Sequence, residues 1–481
     1  MAKKVLVHSE PSLKEALKRS REPSKIVREE LIFPDRLLTY AHGKKCFIRT
    51  YGCQANVVDS QNILGILTEL GYENCQDPLE ADFVLLNTCA VRENAEDKVF
   101  GEVGSLKKLK NKNPNAIIAV CGCMIQQPHI VNRLKNVYTQ VDLMFGTHNI
   151  HHLPQLIEQV VFDEKRIIEV FSKEGEVIER LPIVRDDKIK AFVNIQYGCD
   201  KFCSYCIVPY TRGKERSRHK DDIISEVKCL VKQGYKEITL LGQNVNAYGK
   251  DLGIDYTFGD LLRDLDQTGI ERIHYTTSHP RDLDLNTIKA MGECKSVMPN
   301  LHLPVQSGDN TVLKRMNRKY THEEYVEKIK LLREYVPGIS ITTDIIVAFP
   351  GETEEQFQHT LDLVEEVGFE GAFTFIYSPR EGTPAATYEN LLTEEEKHQR
   401  LNRLVEKTNE GYLKGHQRFL GQVVKVLVDG QSKNNPEYMT GYSEHRKVVN
   451  FKPIKANVGD IVSVKITEAK TWFMNGEQVD E

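Results

Sequence analysis

The sequence predicts an α/β protein of three successive parts: an N-terminal three-layer α/β domain, a central (β/α) barrel of partial TIM type, and a small C-terminal β-barrel. Three observations carry this. From Lys45 onward short apolar strands alternate with amphipathic helices, the pattern of a parallel sheet covered on both faces. A longer series of the same kind between about residues 185 and 415 supplies six strands, enough for a partial or full barrel. After Gly415 the helical period stops, and strands of period two separated by turn residues replace it.

The composition agrees with a soluble multidomain chain. At 481 residues, with 28% charged and 40% hydrophobic residues and a net charge of −5, it is long enough for about three domains. The mean hydropathy is −0.42, and the longest apolar run, Ala116 to Ile125, falls well short of the ~20 residues a membrane span needs. Met1-Ala2-Lys3-Lys4 opens without a secretory apolar core, and Glu10, Glu15, Glu22, Glu29 and Glu30 are unlike an organelle transit peptide. The expected location is therefore the cytoplasm, without a membrane partner. There, eleven cysteines have no disulfide role, so metal binding or catalysis leads.

In order along the chain, residues 1–43 read as a polar extension with at most one helix. Residues 44–165 form the first domain. Its strands are Cys46–Tyr51, Asp82–Asn87 and Ala116–Val120; its helices are Asp59–Leu70, stopped by Gly71, and Glu93–Lys110. Ligands bind beyond the carboxyl ends of such strands. Those ends hold Tyr51-Gly-Cys53, Asn87-Thr-Cys89 and Cys121-Gly-Cys123. A charged linker follows over 150–185. The barrel, residues 185–415, has strands Ala191–Gln196, Glu237–Leu241, Arg272–Thr277, Leu301–Val305, Ser340–Val347 and Gly371–Tyr377, with helices such as Asp221–Gln233 and His322–Tyr335. Residues 416–481 carry strands Gln422–Val428, Lys447–Phe451 and Asp460–Ile466, with turns at Asp429-Gly430, Asn434-Asn435-Pro436 and Asn475-Gly476.

The sharpest local signal is Cys199-Asp-Lys-Phe-Cys203-Ser-Tyr-Cys206, just after the first barrel strand. Three thiolates this close leave a tetrahedral zinc without its fourth ligand unless a distant one is supplied. They suit three irons of a [4Fe–4S] cluster with the fourth iron open. A structural zinc knuckle is the alternative. In the first domain one cysteine per loop, Cys53, Cys89 and either Cys121 or Cys123, converges on the strand ends. Any one alone reads as a buried apolar thiol; three together read as a second ligand set.

The C-x3-C-x2-C spacing resembles that of the radical S-adenosylmethionine enzymes. The resemblance implies S-adenosylmethionine contacts from Tyr205, from Gly242-Gln243-Asn244, from Ser278, from Gln306 and Ser307, and from Asp344. The domain order, with Gly122-Cys123-Met-Ile-Gln126, Asn87-Thr-Cys-Ala-Val-Arg-Glu-Asn-Ala-Glu-Asp-Lys-Val-Phe100, Val208-Pro-Tyr-Thr-Arg-Gly213 and Leu301-His-Leu-Pro-Val-Gln-Ser-Gly308, resembles the radical S-adenosylmethionine methylthiotransferases over about residues 44–481, and among them the bacterial MiaB type. The C-terminal barrel resembles a TRAM domain. Residues 1–43 are longer than the motif-bearing part needs.

That resemblance implies two [4Fe–4S] clusters: an auxiliary one on Cys53, Cys89 and Cys123, with Cys123 preferred over Cys121, and a radical one on Cys199, Cys203 and Cys206. It implies methylthio transfer to C2 of N6-isopentenyladenosine 37 in a tRNA anticodon stem-loop. Two S-adenosylmethionine molecules would be used, one split to a 5′-deoxyadenosyl radical and one methylating the sulfur. No Ser/His/Asp arrangement is needed, because the cofactor carries the hard step. An electron donor of flavodoxin or ferredoxin type and a sulfur donor or carrier are further implied partners.

Net acidity hides a basic stretch: Arg212, Lys214, Arg216, Arg218 and Lys220 against Glu215 alone. These, with Arg446-Lys447 in the C-terminal barrel, are the RNA-contact candidates; Lys107, Lys108, Lys110 and Lys112 form a second patch. Competing functions are methylthio transfer to another tRNA adenosine or to a ribosomal protein, and a non-catalytic zinc-dependent RNA-binding scaffold.

Overall fold

The computed structural model describes residues 4–7, 25–28, 31–90, 93–171, 176–433 and 435–480. Its first domain contains β1 (Lys4–Val7), β2 (Ile26–Val27), β3 (Lys45–Thr50), β4 (Glu73–Asn74), β5 (Phe83–Thr88), β6 (Ile117–Gly122), β7 (Leu143–Phe145), β8 (Lys165–Glu169) and β9 (Val177–Ile178). Seven of these form one parallel sheet in the order β1-β8-β7-β6-β5-β3-β4. Every residue of β5 and β6 is buried, as continuous apolar strands covered on both faces require. One face packs under helices Gln54–Glu69 and Leu153–Phe162 through Ile63, Leu67, Leu156 and Ile157. The other packs under Glu93–Ser105 and Pro128–Val137 through Val99, Val103, Ile130 and Leu134. These are the three expected layers.

Three expectations move. The part of the 1–43 segment that is described is built into the first domain: β1 pairs with β8, β2 pairs with β9, and Leu37 and Ala41 of helix Asp35–Ala41 lie in the same core as Ile63. Residues 8–24 of that segment lie outside the described residues. The 150–185 stretch is likewise no free linker, since it supplies helix Leu153–Phe162, β8 and β9. Helix Glu93–Lys110 is two helices, Glu93–Ser105 and Lys107–Lys112.

The central domain runs through β10 (Lys190–Asn194), β11 (Gln196–Tyr197), β12 (Arg216–Ser217), β13 (Glu237–Leu241), β14 (Arg272–Tyr275), β15 (Asn300–His302), β16 (Ser340–Val347) and β17 (Ala372–Ile376). Six of these are the expected barrel strands. They form two parallel sheets, β10-β13-β14 and β15-β16-β17, and an isolated bridge, Ile273–Val297, links β14 to the segment that leads into β15. Strands β11 and β12 form an antiparallel ribbon instead, bracketing the loop with Cys199, Cys203 and Cys206.

The C-terminal domain is a closed barrel of β18 (Val423–Gln431), β19 (Met439–Ser443), β20 (Val448–Lys452), β21 (Ile461–Ala469) and β22 (Met474–Gln478) around Val426, Val449, Phe451 and Val464. Two turn expectations fail here. Asp429-Gly430 sits inside β18, where the register shifts between Val428 and Gly430, so the pair marks a bulge. Asn475-Gly476 sits inside β22, where a side chain at Gly476 would press on the Lys465 carbonyl at 2.5 Å.

This barrel caps the amino ends of the central strands. Arg272, at the start of β14, donates to the carbonyls of Tyr442 (2.9 Å) and Lys425 (2.8 Å). Lys447 Nζ pairs with Glu370, just before β17, at 2.9 Å. Arg446 and Lys447, expected on an RNA face, are instead docking cations, and Lys447 is buried.

Candidate active site

Strands β3, β5 and β6 are neighbours in the sheet, and each delivers one cysteine just past its carboxyl end. Cys53 caps helix Gln54–Glu69 with extended backbone, Cys89 follows β5, and Cys123 opens the short 3-10 turn after β6. The approach is close. A side chain on Gly52 would meet Cys89 Cβ at 2.6 Å, and Gly52 has φ +123°, so glycine is required on both grounds. Asn56 ties the loops of Cys53 and Cys89 together. Its amide donates to Asn87 Oδ1 at 3.0 Å and to the Thr88 carbonyl at 2.9 Å, and its Oδ1 lies 3.3 Å from Cys53 Sγ. Cys121 packs in the sheet core with Leu85 and Phe145, whereas Cys123 groups with Ala90, Ile207 and Tyr210 at the edge of the barrel domain. Burial pushes the Cys123 thiol up to about 12, and a neighbouring cation, Arg212, works against that rise.

The second triad sits in the loop between β11 and β12. Its ends are pinned where the Cys199 amide donates to the Gly213 carbonyl at 3.0 Å. The Ser204 hydroxyl donates to the Arg315 carbonyl at 2.8 Å, and Asn317 Nδ2 to the Phe202 carbonyl at 2.8 Å. Cys199 and Cys203 are buried and Cys206 is half-exposed. Arg318 Nη1 lies 3.3 Å from Cys203 Sγ, a buried cation that sequence reading missed because it comes from 115 residues away.

The donor chemistry of both sets fits an iron–sulfur cube. Among the described residues no three Cys, His, Asp or Glu side chains stand close enough to share one metal ion. A cube asks for less, because its three thiolates bind three different irons.

Beyond the second triad lies a buried polar floor with unspent hydrogen-bonding capacity. Gln196 Oε1 and Nε2, Asn244 Oδ1, Ser278 Oγ and His279 Nε2 are buried with no protein partner. Such orphans are costly unless a ligand completes them. They cluster at the ends of β13, β14 and the first turn of the cysteine ribbon: Gly242 is within 3.3 Å of Gln196 if given a Cβ, and Asn244 Nδ2 donates to Asp282 at 2.7 Å. His279 Nδ1 accepts from the Arg281 amide at 3.2 Å, and burial and Arg318 push the imidazole pKa far down, so its free Nε2 carries the hydrogen as a donor. Burial opposes the Asp282 charge, but Lys201, Lys250 and Asn244 hold its carboxyl well below the usual range. Orphan donors and acceptors beside a cysteine loop suit the amino-acid end of S-adenosylmethionine.

Of the expected cofactor residues, Gly242, Asn244 and Ser278 belong to this floor. The Gln243 side chain accepts from the Gly198 amide and so props the cysteine loop. Tyr205, Gln306 and Asp344 line an adjoining cavity of about 1160 Å³. Ser307 is withdrawn from the set. It is fully buried, and its hydroxyl is taken by Thr360 at 3.3 Å and by the Asp309 amide at 3.2 Å.

The cavity fills the lumen of the open barrel. Cys53 and Cys206 meet it at one end, Arg446, Lys447 and Trp472 at the other. Along its wall Phe373 and Phe375 alternate on β17 and are 60% and 47% exposed, although they are large apolar side chains. Their period-two spacing is in the sequence, but only the tertiary structure shows which face of β17 lines the cavity.

The expected basic stripe is not a surface. Arg212 is buried on Asp59 (2.7 Å) and Cys123 (3.0 Å). Arg216 is buried, donates to the Arg212 carbonyl at 3.2 Å and stacks over Tyr197. Arg218 is buried between Glu179 (2.6 Å) and Glu226 (2.8 Å). Lys214 and Lys220 are half-exposed, Lys220 lying over the Tyr256 ring. Asp59 and Glu179, which pair with Arg212 and Arg218, lie about 150 and about 40 residues away in sequence, so a local charge count misses them. In the second patch Lys110 is paired with Asp142 at 2.6 Å, while Lys107, Lys108 and Lys112 are exposed.

The geometry agrees with what the chain resembles. Residues 193–364 match the radical SAM superfamily, residues 45–146 the family described as "Uncharacterized protein family UPF0004", and residues 417–479 the TRAM domain. Among solved structures, a radical S-adenosylmethionine methyltransferase from Kitasatospora setae, with cobalamin and a [4Fe-4S] cluster bound, superposes with TM-score 0.53 at 13% identity, covering 71% of this chain and 77% of that one. That is a likeness of fold. Among curated proteins, the tRNA-2-methylthio-N(6)-dimethylallyladenosine synthase of Oceanobacillus iheyensis is 55% identical, with 98% of this chain and 91% of that protein covered. Its namesake from Bacillus cytotoxicus is 54% identical over 99% and 93%. No helix among the described residues is long and apolar enough to cross a membrane. With identity of this level along almost its whole length, the chain belongs to the tRNA-2-methylthio-N(6)-dimethylallyladenosine synthase family of radical SAM enzymes.

Proposed function

We propose that the chain is a tRNA methylthiotransferase acting on dimethylallyladenosine, and that it places the methylthio group on C2 of that base at position 37 of an anticodon loop. The observation that carries the reading is the cavity that Cys53 of one cysteine set and Cys206 of the other both line at the same end, with aromatic side chains along the wall. A target carbon at that end lies next to both cysteine sets.

Cys199, Cys203 and Cys206 would hold one [4Fe–4S] cluster and Cys53, Cys89 and Cys123 a second. When bound, these clusters and two S-adenosylmethionine molecules supply the radical and methyl-transfer chemistry that an unactivated C–H bond requires. The chain's own work is placement. Gln196, Asn244, Ser278 and the His279 Nε2–H offer the hydrogen bonds that orient the methionine end; Gln243 and Asn317 fix the cysteine loop. Phe373 and Phe375 offer stacking faces to a splayed base, which an anticodon loop presents and a duplex does not. An electron donor of flavodoxin or ferredoxin type and a sulfur donor complete the cycle.

Iron and sulfide analysis of anaerobically purified protein tests this. About eight irons per chain are expected, with about four lost from Cys53→Ala and about four from Cys199→Ala. Mass spectrometry of tRNA from a deletion strain should show loss of the methylthio group. A colourless zinc protein, or a deletion strain with unchanged tRNA, would overturn the reading.

A further inference from the structure

The residue that joins the two cysteine sets is Arg212. It leaves Cys206 by the shortest route available: Ile207, then the single helical turn Val208–Thr211, then the arginine. Its backbone therefore belongs to the barrel, while its guanidinium lies inside the other domain's triad. Nε donates to Cys123 Sγ at 3.0 Å. Nη2 pairs with Asp59 Oδ2 at 2.7 Å and approaches Asn56 Oδ1 at 3.4 Å, the oxygen that also faces Cys53 Sγ at 3.3 Å. The arginine and Asp59 are both buried. The turn that carries it is clamped to the first domain, since Thr147 Oγ1 donates to the Thr211 carbonyl at 2.9 Å and Ile207 and Tyr210 pack with Ala90 and Cys123.

A buried arginine is seldom spent on an ion pair alone, and this one is aimed past its carboxylate at a sulfur. Donation to a ligand sulfur withdraws electron density from a cluster, and a fixed positive charge stabilises the more negative, reduced state; both raise the reduction potential. In the dry interior neither effect is screened by solvent.

We propose that Arg212 is a positioning residue for the auxiliary cluster: it sets the reduction potential of the cluster on Cys53, Cys89 and Cys123 and ties that setting to the docking of the two domains. The inference rests on the reading that these three cysteines hold a cluster. It gives Arg212 a role that neither the expected RNA contact nor a plain interdomain ion pair supplies.

The test uses the full chain carrying Cys199→Ala and Cys206→Ala, so that all remaining iron signals belong to the first domain. If this protein binds no iron, the cluster reading fails, and Arg212 is not at issue. If it binds about four irons, redox titration with dithionite, which adds one electron to the cluster, is followed by electron paramagnetic resonance in Arg212→Gln and Arg212→Lys. The Gln variant, which loses the charge, should show a roughly tenfold lower ratio of reduced to oxidised cluster at a fixed potential, about 59 mV for one electron. The Lys variant should lie nearer the parent. Loss of the cluster from Gln but not from Lys also supports the proposal, because the two side chains differ chiefly in charge. An unshifted midpoint in Gln, a Lys midpoint no nearer the parent than Gln, or loss of the cluster from both variants would overturn it and leave Arg212 a packing strut.

Discussion

Arg446 Nη1 of the C-terminal barrel stands 2.7 Å from Glu237 Oε1, a carboxylate whose side chain is 1% exposed at the first residue of β13. Removal of the arginine strands that carboxylate. Arg446→Ala should cost about 3 kcal/mol in thermal or denaturant unfolding, and adding Glu237→Gln should return more than half of it. Because the arginine is spent on docking, the salt slope of RNA binding should stay the same; a phosphate contact would lower it by about one.

Arg218 makes the same point inside the central domain. It satisfies Glu179, which is 2% exposed, and also the Asn194 carbonyl at 2.7 Å. Arg218→Ala should destabilise by about 3–5 kcal/mol, read as a lower melting temperature, at low and high salt alike. A mere loss of salt-dependent RNA affinity in a fully stable variant would contradict the buried placement.

Gly122 holds two cysteine loops in contact. It has φ +97°, and an added Cβ would collide with the Thr88 carbonyl and lie 2.7 Å from the Thr88 amide. Gly122→Ala should push Cys123 away from Cys89. Iron analysis should find about four irons lost while the cluster on Cys199, Cys203 and Cys206 is retained. Full iron content would refute this.

Glu352 gives a pH signature. Burial, against the opposing Ala348 amide and Arg400, lifts its carboxyl from 4.5 to about 7. The folded pKa lies above the unfolded one, so the native state binds the extra proton between about 4.5 and 7. The associated stability is present below that window and lost as pH rises through it, to a total of about 3 kcal/mol. Glu352→Gln should flatten that limb of the stability–pH curve, since Arg400 keeps its bond to the Glu352 carbonyl at 3.0 Å. An identical limb in the variant would exclude Glu352 as its source.

Phe375 is half-exposed on the lumen wall without a protein reason to be. Phe375→Ala should weaken binding of an anticodon stem-loop about tenfold, within the 1–3 kcal/mol that a stacked base is worth, and Phe375→Tyr should restore it. Equal affinity in the Ala variant would remove Phe375 from the base-binding wall.

The local signals in the sequence were dependable wherever the chemistry was local. All six barrel strands lie within a few residues of where alternation puts them, and the spacing of Cys199, Cys203 and Cys206 needs only one loop. The misreadings share one cause: the partner was remote. Asp429-Gly430 and Asn475-Gly476 carry good turn chemistry, yet the strands across from them keep the ladder running, with a bulge at one and a close backbone approach at the other. Ser307 looks like a cofactor hydroxyl until Thr360 takes it.

What the sequence by itself determined was the order of the three domains and the spacing of Cys199, Cys203 and Cys206 within one loop, because periodicity and short loops are properties of neighbouring residues. What only the tertiary structure decided was where the charge goes. Arg212, Arg216 and Arg218 read as a basic stripe in one dimension; in three, Asp59 neutralises Arg212, Glu179 and Glu226 neutralise Arg218, Arg216 is buried on a carbonyl and a ring, and Arg212 also touches a cysteine. Coulombic partners are chosen by distance through space, and a buried cation is tolerated where the fold has brought it an anion or a set of hydrogen-bond acceptors.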